Sequence, residues 1–395
     1  NDEINYYYPT NDLVTAPEIM FFWVARMIMA GYEYLDELPF KNVYFTGIVR
    51  DKLGRKMSKS LGNSPDPIDL IHKFGADGVR VGVLISSPAG NDLPFDTSQC
   101  EQGRNFSNKI WNAYRLISSW EVKDIEQPVS SAIAIKWFEH KFQQTLVELN
   151  ELYDNYKISE ALMVSYKLVW DDFCSWYLEI IKPGYQHPID RKTLDQSVAL
   201  FDNILKILHP FMPFVTEELW HQLSSKSEDL VISNWPEVSG HDDALLSSFN
   251  SAAEIVTNIR NIRKQQSIGA KIKLELFYSG KYKGDTDFTS LIRKMGNLSL
   301  FEATNEKIGN SNGFIVEGTQ FYVPFGDTVD VEAERKKLEQ ELEYSKGFLT
   351  SVQKKLGNER FVNSAPEKVV ENEKKKQSDT LLKISLLEEK LSNLN

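Results

Sequence analysis

The chain has 395 residues, 42% of them hydrophobic, with 12% aromatic and 26% charged residues, which is enough apolar material for two to four packed domains. Its net charge of −11 excludes a uniformly basic nucleic-acid binder, and two cysteines, Cys100 and Cys174, exclude a disulfide framework and a cysteine-based zinc site. No apolar run approaches the roughly 20 residues that would cross a bilayer.

The opening residues, Ile4 and Tyr6 to Tyr8, read as strand-like, and the start at Asn1 is expected of a piece of a longer chain. Pro17 stands in the first turn of a strongly apolar helix, Phe21 to Ala30, which Gly31 is expected to end. Apolar on every face, this helix is expected to be buried between a sheet and another layer. The β-branched and aromatic run Val43 to Val49 then predicts a buried strand. Gly54-Arg55-Lys56-Met57-Ser58-Lys59-Ser60-Leu61-Gly62-Asn63 cannot extend that strand and reads as a basic loop at its carboxyl end. In an open α/β sheet ligands bind there. Two ammonium groups, hydroxyls at Ser58 and Ser60 and hinging glycines suit a polyphosphate whose charge changes during reaction, although such a loop is by composition more often a solvated turn.

At Lys56-Met57-Ser58-Lys59-Ser60 the sequence matches, letter for letter, the KMSKS signature of class I aminoacyl-tRNA synthetases. With Asp51 to Arg55 before it and Leu61 to Asn63 after, it resembles the isoleucine, leucine and valine subgroup. Phe21-Phe22-Trp23-Val24-Ala25-Arg26-Met27 is most similar to the valine branch of that subgroup. The resemblance implies that Lys56 and Lys59 are catalytic, and that Glu18 with Lys56, Met57, Ser58, Lys59 and Ser60 binds ATP or the adenylate. It also implies that Ile19 and Trp23 line an amino-acid pocket. Ala16 and Glu18 depart from the Gly and Asp expected at their positions.

Ser64-Pro65-Asp66-Pro67 punctuates the chain, and 68–82 reads as a helix, a turn and a second helix or strand, resembling the family's stem-contact segment. Helical periodicity follows, with expected helices at 98–120, 131–155, 158–181, 190–208 and 214–224. Aromatic stripes through Trp137, Phe138, Phe142, Leu146, Leu149 and Leu152 and through Leu162, Tyr166, Val169, Trp170, Phe173, Trp176 and Tyr177 read as core. The ends of this bundle resemble the anticodon-binding module of the same subgroup, which implies RNA contacts from Arg104, Asn108, Lys109 and Arg115. On bare sequence each of those cations is equally a solvated charge.

Residues 242–330 read as a helix ending in Arg260, Arg263 and Lys264, followed by strands; that cluster is either an RNA contact or a complement to a helix C-terminus. In the tail, Leu338, Leu342, Ser345, Leu349, Val352 and Leu356 repeat at spacings of four and three. Gly357-Asn358 breaks the helix, Ser364 to Glu367 offers a capping box, and Val370, Gln377, Ile384 and Leu391 keep a seven-residue period. An antiparallel hairpin results, resembling the family's C-terminal coiled coil, and Lys336, Lys337, Lys354 and Lys355 are then expected to meet tRNA.

The expected fold is thus multidomain and mainly α. It places the C-terminal half of a Rossmann-like α/β catalytic domain at 1–64, a stem-contact segment at 65–97 and an anticodon-binding helical bundle at 98–240. A small α+β unit at 241–330 and a coiled-coil hairpin at 331–395 follow. None of the six histidines forms the His-x-Gly-His signature of the other half of a class I site, and no editing domain is recognisable. The resemblance implies a chain that takes part in valine activation and transfer to tRNA(Val), inactive by itself, with ATP-Mg²⁺ as substrate and no protein-bound metal. A cytoplasmic monomer is expected. The alternative is a stand-alone tRNA-binding module with a vestigial loop.

Overall fold

The computed structural model describes residues 2–395 apart from 87–91, 224–227, 281, 283–285, 306–307, 310, 325–330, 358–370 and scattered positions of 372–395; the side chains of 286–287, 331–338 and 341 also lie outside the description. The chain divides into two compact units, Asn1–Ser247 and Ser248–Asn395. It is mainly helical, with small sheets.

The first unit begins with α1 (Asp2–Tyr7) and β1 (Thr10–Thr15), then a single 3₁₀ turn over Pro17–Ile19, π-helical turns over Met20–Val24 and α2 (Ala25–Leu35). β2 (Phe40–Phe45) lies parallel to β1 in a register running from Thr10 opposite Phe40 to Thr15 opposite Phe45, so β1, α2 and β2 form a strand–helix–strand crossover. Ile4, Tyr6 and Tyr7, read as strand-like, lie in the helix α1 instead, and three further expectations fail here. The helix does not stop at Gly31 but continues to Leu35, and Asp36 at φ 56° ends it. Gly31 is needed inside the helix because a Cβ there would meet the Glu37 carbonyl at 2.6 Å. Nor is the helix buried: Phe21 is 79% exposed, Phe22 60% and Trp23 58%, and only Val24 and Gly31 are covered, Gly31 by Tyr8, Glu37 and Pro39. The predicted strand at 43–49 is also interrupted. β2 stops at Phe45, and Val49–Arg50 forms a separate short strand, β3, that pairs in parallel with β4 (Leu93–Pro94).

Between those two strands lie the lysine loop, α3 (Pro67–Phe74) and α4 (Ala76–Ile85). The Asp66 carboxylate caps α3 by accepting from the Ile68 N–H at 2.7 Å, and Pro67 occupies the first turn. Gly75, at φ 78°, makes the corner into α4. α5 (Thr97–Ser118), capped by Asp96, crosses α4 at very close range through Gly78, Gly82 and Gly103.

The bundle continues with β5 (Val122–Lys123), α6 (Val129–Asp154), α7 (Ile158–Lys167), a π-helical stretch over Leu168–Tyr177, α8 (Leu178–Ile181), β6 (Ile189–Asp190), α9 (Arg191–Leu208) and α10 (Pro213–Leu223). β5 and β6 pair in parallel. Most of the stripes read as core is core: Phe138, Leu149, Leu162, Val169, Phe173 and Tyr177 are fully buried, while Leu152, Tyr166, Trp170 and Trp176 are half-buried. Phe173 stacks on Tyr177 at 5.3 Å and on Phe201 at 5.7 Å, with Phe138 5.2 Å from Phe173. The buried Tyr177 hydroxyl is satisfied by Ser197 Oγ at 2.7 Å, as a polar group in such a core must be.

α11 (Asp243–Gln265) leads into the second unit, where β7 (Leu274–Ser279), α12 (Thr286–Gly296), β8 (Leu298–Ala303), β9 (Ser311–Val316) and β10 (Thr319–Pro324) form one four-stranded sheet in the order β8-β7-β10-β9. β7 and β8 are parallel around the α12 crossover, and β10 is antiparallel to both β7 and β9. Tyr278, Phe301, Phe314 and Phe321 pack as an aromatic cluster on this sheet, for example with Phe314 and Phe321 stacked at 5.2 Å.

α13 (Val331–Leu356) carries Ser345 and Val352 buried, with Leu342, Leu349 and Leu356 half-buried. On the returning stretch Glu373, Thr380, Ile384 and Leu387 are buried. Lys346 pairs with Glu388 at 2.7 Å and Lys355 approaches Glu373 at 4.0 Å, so the two segments run in opposite directions. Asn358, the capping box at 364–367 and Val370 lie outside the described residues, as do the side chains of Lys336, Lys337 and Leu338.

Candidate functional site

The lysine loop leaves β3 and is closed on itself by polar contacts rather than by regular structure. Asp51 accepts hydrogen bonds from the Leu53 N–H at 3.0 Å and the Arg55 N–H at 2.8 Å, and pairs with the Arg55 guanidinium at 2.8 Å. Asn63 joins the two ends of the loop. Its amide nitrogen donates to Asp51 Oδ2 at 2.9 Å and to the Lys56 carbonyl at 3.3 Å, while its amide oxygen accepts from the Ser58 N–H at 2.9 Å. Ser58 Oγ in turn accepts from the Leu61 N–H, which caps the single turn Lys59–Leu61, and Gly62 at φ 61° follows.

The hydrogen bond from Asn63, reinforced by those from Arg55 and Leu53, holds the Asp51 carboxyl down at about 2, below its ordinary 3.8. A carboxyl pulled down on folding stabilises the fold at every pH above the unfolded value, and that contribution disappears as pH falls through the folded one. The loop network is therefore expected to persist at pH 4 and to open only near pH 2. Carbon-detected NMR titration of Asp51 should show a midpoint near 2 that moves back towards 3.8 in Asn63→Ala. An unchanged midpoint in that variant would remove Asn63 from the network.

Five side chains of the signature part company. Met57 turns inward against a core cluster of Phe74, Phe95 and Cys100 and so anchors the loop. Lys56 points the other way and pairs with Glu18 at 2.7 Å, with both side chains at least half exposed. That contact brings the loop to the turn after β1, where Ile19 is 39% exposed and Trp23 58%. Lys59 and Ser60 are exposed on the single turn, and Ser58 is spent on the cap. Arg50, with its guanidinium on Asp92, and Lys52, on Asp96 at 3.1 Å, tie the base of the loop to the segment before α5.

Among the residues expected to meet RNA, Arg104 and Asn108 share a cleft of about 430 Å³ with Lys73, Gly75, Trp111 and Phe214. Arg104 lies over the Phe74 ring and pairs with Glu101 at 3.2 Å. Lys109 turns away and sits over Trp170 at 5.2 Å, while Arg115 is exposed two turns further along α5. Lys354 and Lys355 are exposed on α13. Of the cations at the end of α11, Arg263 is committed to structure: its guanidinium donates to the carbonyls of Gly269, Gly296 and Asn297, completing the C-terminus of α12.

Two positioning groups had no sequence signal. The Asp77 carboxylate on α4 accepts from the Val215 N–H at 2.7 Å and the Phe214 N–H at 3.3 Å, capping α10 from across the unit. Arg80, one turn on, donates to the carbonyls of Pro210 and Phe211 at 3.0 and 3.1 Å. α4 is thereby fixed to the turn before α10, and the lysine loop, through Met57, to the same body.

Comparison with known families follows this arrangement along the chain. Residues 1–96 match the family described as tRNA synthetases class I (I, L, M and V), residues 135–278 match the anticodon-binding domain of tRNA ligase, and residues 330–395 match the valyl tRNA synthetase tRNA binding arm. The chain belongs to the class I tRNA synthetases of this group. Within it, curated valine-tRNA ligases match along the whole chain. That of Parabacteroides distasonis is 55% identical over 100% of this chain and 45% of the relative, and that of Christiangramia forsetii is 53% identical with the same coverage. The Thermotoga maritima protein is 36% identical over 100% of this chain and 46% of the relative. The chain thus spans just under half the length of these relatives. A solved ternary complex titled LeuRS-tRNA-LeuAMS, from Agrobacterium radiobacter K84, aligns at 17% identity and a TM-score of 0.45 over 78% of this chain and 36% of that one.

Proposed function

We propose that this chain supplies the lysine-loop side of the activation site and the tRNA-holding modules of a valine-tRNA ligase. In the proposed reaction the valine carboxylate attacks the α-phosphate of the substrate ATP-Mg²⁺, releasing pyrophosphate, and the valyl group then passes from the adenylate to the terminal ribose of tRNA(Val). Lys56 and Lys59 stabilise the charge that builds on the leaving pyrophosphate, an interaction strongest in the transition state. Glu18 holds the ribose hydroxyls, Ser58 and Ser60 hold the loop and its ligand, and Ile19 and Trp23 contact the valine side chain.

The observation that carries this reading is the Lys56–Glu18 contact at 2.7 Å, because it joins the phosphate-binding and ribose-binding groups, 38 positions apart in sequence, into one site. The site is open to solvent, with Trp23 and Ile19 exposed, so this chain alone is expected to lack activation activity. Arg104, Asn108, Lys109 and Arg115 are assigned to the tRNA on the bundle. Lys336, Lys337, Lys354 and Lys355 are assigned to it on a C-terminal coiled coil formed by α13 and the returning segment.

Binding of the chain to a valine-tRNA transcript, and to the same transcript with its anticodon replaced, tests the reading across a salt series. Anticodon replacement is expected to weaken binding roughly tenfold or more, since base contacts rather than phosphate contacts carry sequence information. Equal, steeply salt-dependent binding of both transcripts would reduce the contact to the RNA backbone and withdraw the bundle from anticodon recognition.

A further inference from the structure

α10 carries Glu217 and His221 four residues apart, hence on one face, at the end of the bundle far along the chain from the lysine loop. His221 Nε2 lies 3.2 Å from Glu217 Oε1 and 3.2 Å from Asp229 Oδ1, the last from the segment that returns after the helix. The three ligand atoms all fall within 4.8 Å of one another.

Two carboxylate oxygens converging on one imidazole nitrogen leave a position that either a shared proton or a cation can fill. Zinc binds nitrogen at about 2.0–2.1 Å and carboxylate oxygen at about 2.0–2.2 Å, so neighbouring ligands of a tetrahedral ion stand about 3.3–3.6 Å apart. The two separations from the imidazole nitrogen need shifts of only a few tenths of an ångström to reach that, and the two carboxylate oxygens lie within 4.8 Å of each other.

The arrangement is also built in advance. The Leu230 N–H donates to the ligating oxygen of Glu217 at 2.8 Å, and the Trp220 indole N–H donates to the Glu228 carbonyl at 3.1 Å, so hydrogen bonds on both sides of Asp229 dock its segment onto α10. Leu230, 2% exposed, anchors the segment in the core. Such outer contacts orient metal ligands. The second oxygen of Glu217 faces His209 Nε2 at 3.9 Å, on the buried side. His221 and Asp229 are exposed, which leaves an entry path and a fourth position for water.

We propose that Glu217, His221 and Asp229 form a binding site for a divalent transition-metal ion, zinc being the best match, that clamps Glu228 and Asp229 onto α10. The imidazole donor selects against magnesium and calcium, which take oxygen ligands.

Zinc chloride titrated into the metal-free chain by calorimetry near neutral pH, with cobalt(II) absorption as a geometric readout, tests this. One ion per chain is expected to bind and to raise the melting temperature. His221→Ala and Asp229→Asn should each weaken binding by about tenfold or more. His72→Ala, on α3, should leave it unchanged. Circular dichroism establishes that each variant is folded before it is scored. No binding at millimolar zinc, or binding that survives His221→Ala, would overturn the site and leave a proton-bridged ion cluster in its place.

Discussion

Lys59→Ala, introduced into a ligase that joins this sequence to the rest of its catalytic domain, is expected to slow valine-dependent ATP–pyrophosphate exchange by about 10²–10³-fold, the usual cost of removing one preorganised donor to developing charge. Lys59 is exposed on a short turn that Ser58 caps and Gly62 closes, so its loss leaves the loop intact. The effect should fall on kcat with little change in KM for valine, because the pyrophosphate charge exists only as the bond breaks. Lys56→Ala should be equally damaging to kcat. Lys56 is held by Glu18, but an exposed pair of this kind is worth only about 0–1 kcal/mol, so releasing it to reach phosphate costs little. Less than a threefold loss for either variant would remove that lysine from the chemistry.

The second large effect lies in the packing that positions the site. Gly103→Ala is expected to destabilise the first unit by about 1–3 kcal/mol or more. A Cβ on Gly103 would lie 2.4 Å from the Gly78 carbonyl oxygen and 3.0 Å from Gly78 Cα, and those are backbone atoms of α4 that cannot turn aside. α4 and α5 would have to separate, carrying Arg104 and Asn108 away from Lys73 and loosening the floor on which Met57 rests. Thermal unfolding should shift down by several degrees, at about 2–4 °C per kcal/mol for a unit of this size. Gly347→Ala is the contrasting control. It sits in α13 with nothing within 4 Å of the added carbon, and should stabilise that helix by about 1 kcal/mol. A Gly103→Ala protein as stable as the parent would mean that the two helices slide apart freely.

Periodicity and signature residues made much of this molecule readable in advance. The helices of the bundle lie within a few residues of where their apolar spacing puts them, and the aromatic stripes through Phe138 and Phe173 are core because nothing but burial repays so much apolar surface. What stayed illegible depends on partners distant in sequence. Apolar spacing around Phe21 to Trp23 says that a face is hydrophobic, not that another layer stands over it, and here those rings meet solvent. Asp77 and Arg80 look like surface charges in the sequence, yet each is spent on backbone groups 130 to 138 positions away, and Arg263 reaches carbonyls as far as 34 positions on. The glycines at 78, 82 and 103 carry no chemistry, so their role appears only when two helices are seen to touch through them. Asn63 had the one usable signal, an asparagine immediately after the glycine that closes the loop.

The rooting of Met57 in the Phe74–Phe95–Cys100 cluster gives the lysine loop a fulcrum rather than a hinge. Lys56 stands one residue before that fixed point and Lys59 two after it, so neither backbone position can travel more than about 3.5 Å per residue from the anchor. A movement of the loop is therefore expected to turn two short arms about a pin rather than swing one flap. Lengthening the chain on one side of Met57 would displace one ammonium and leave the other in place.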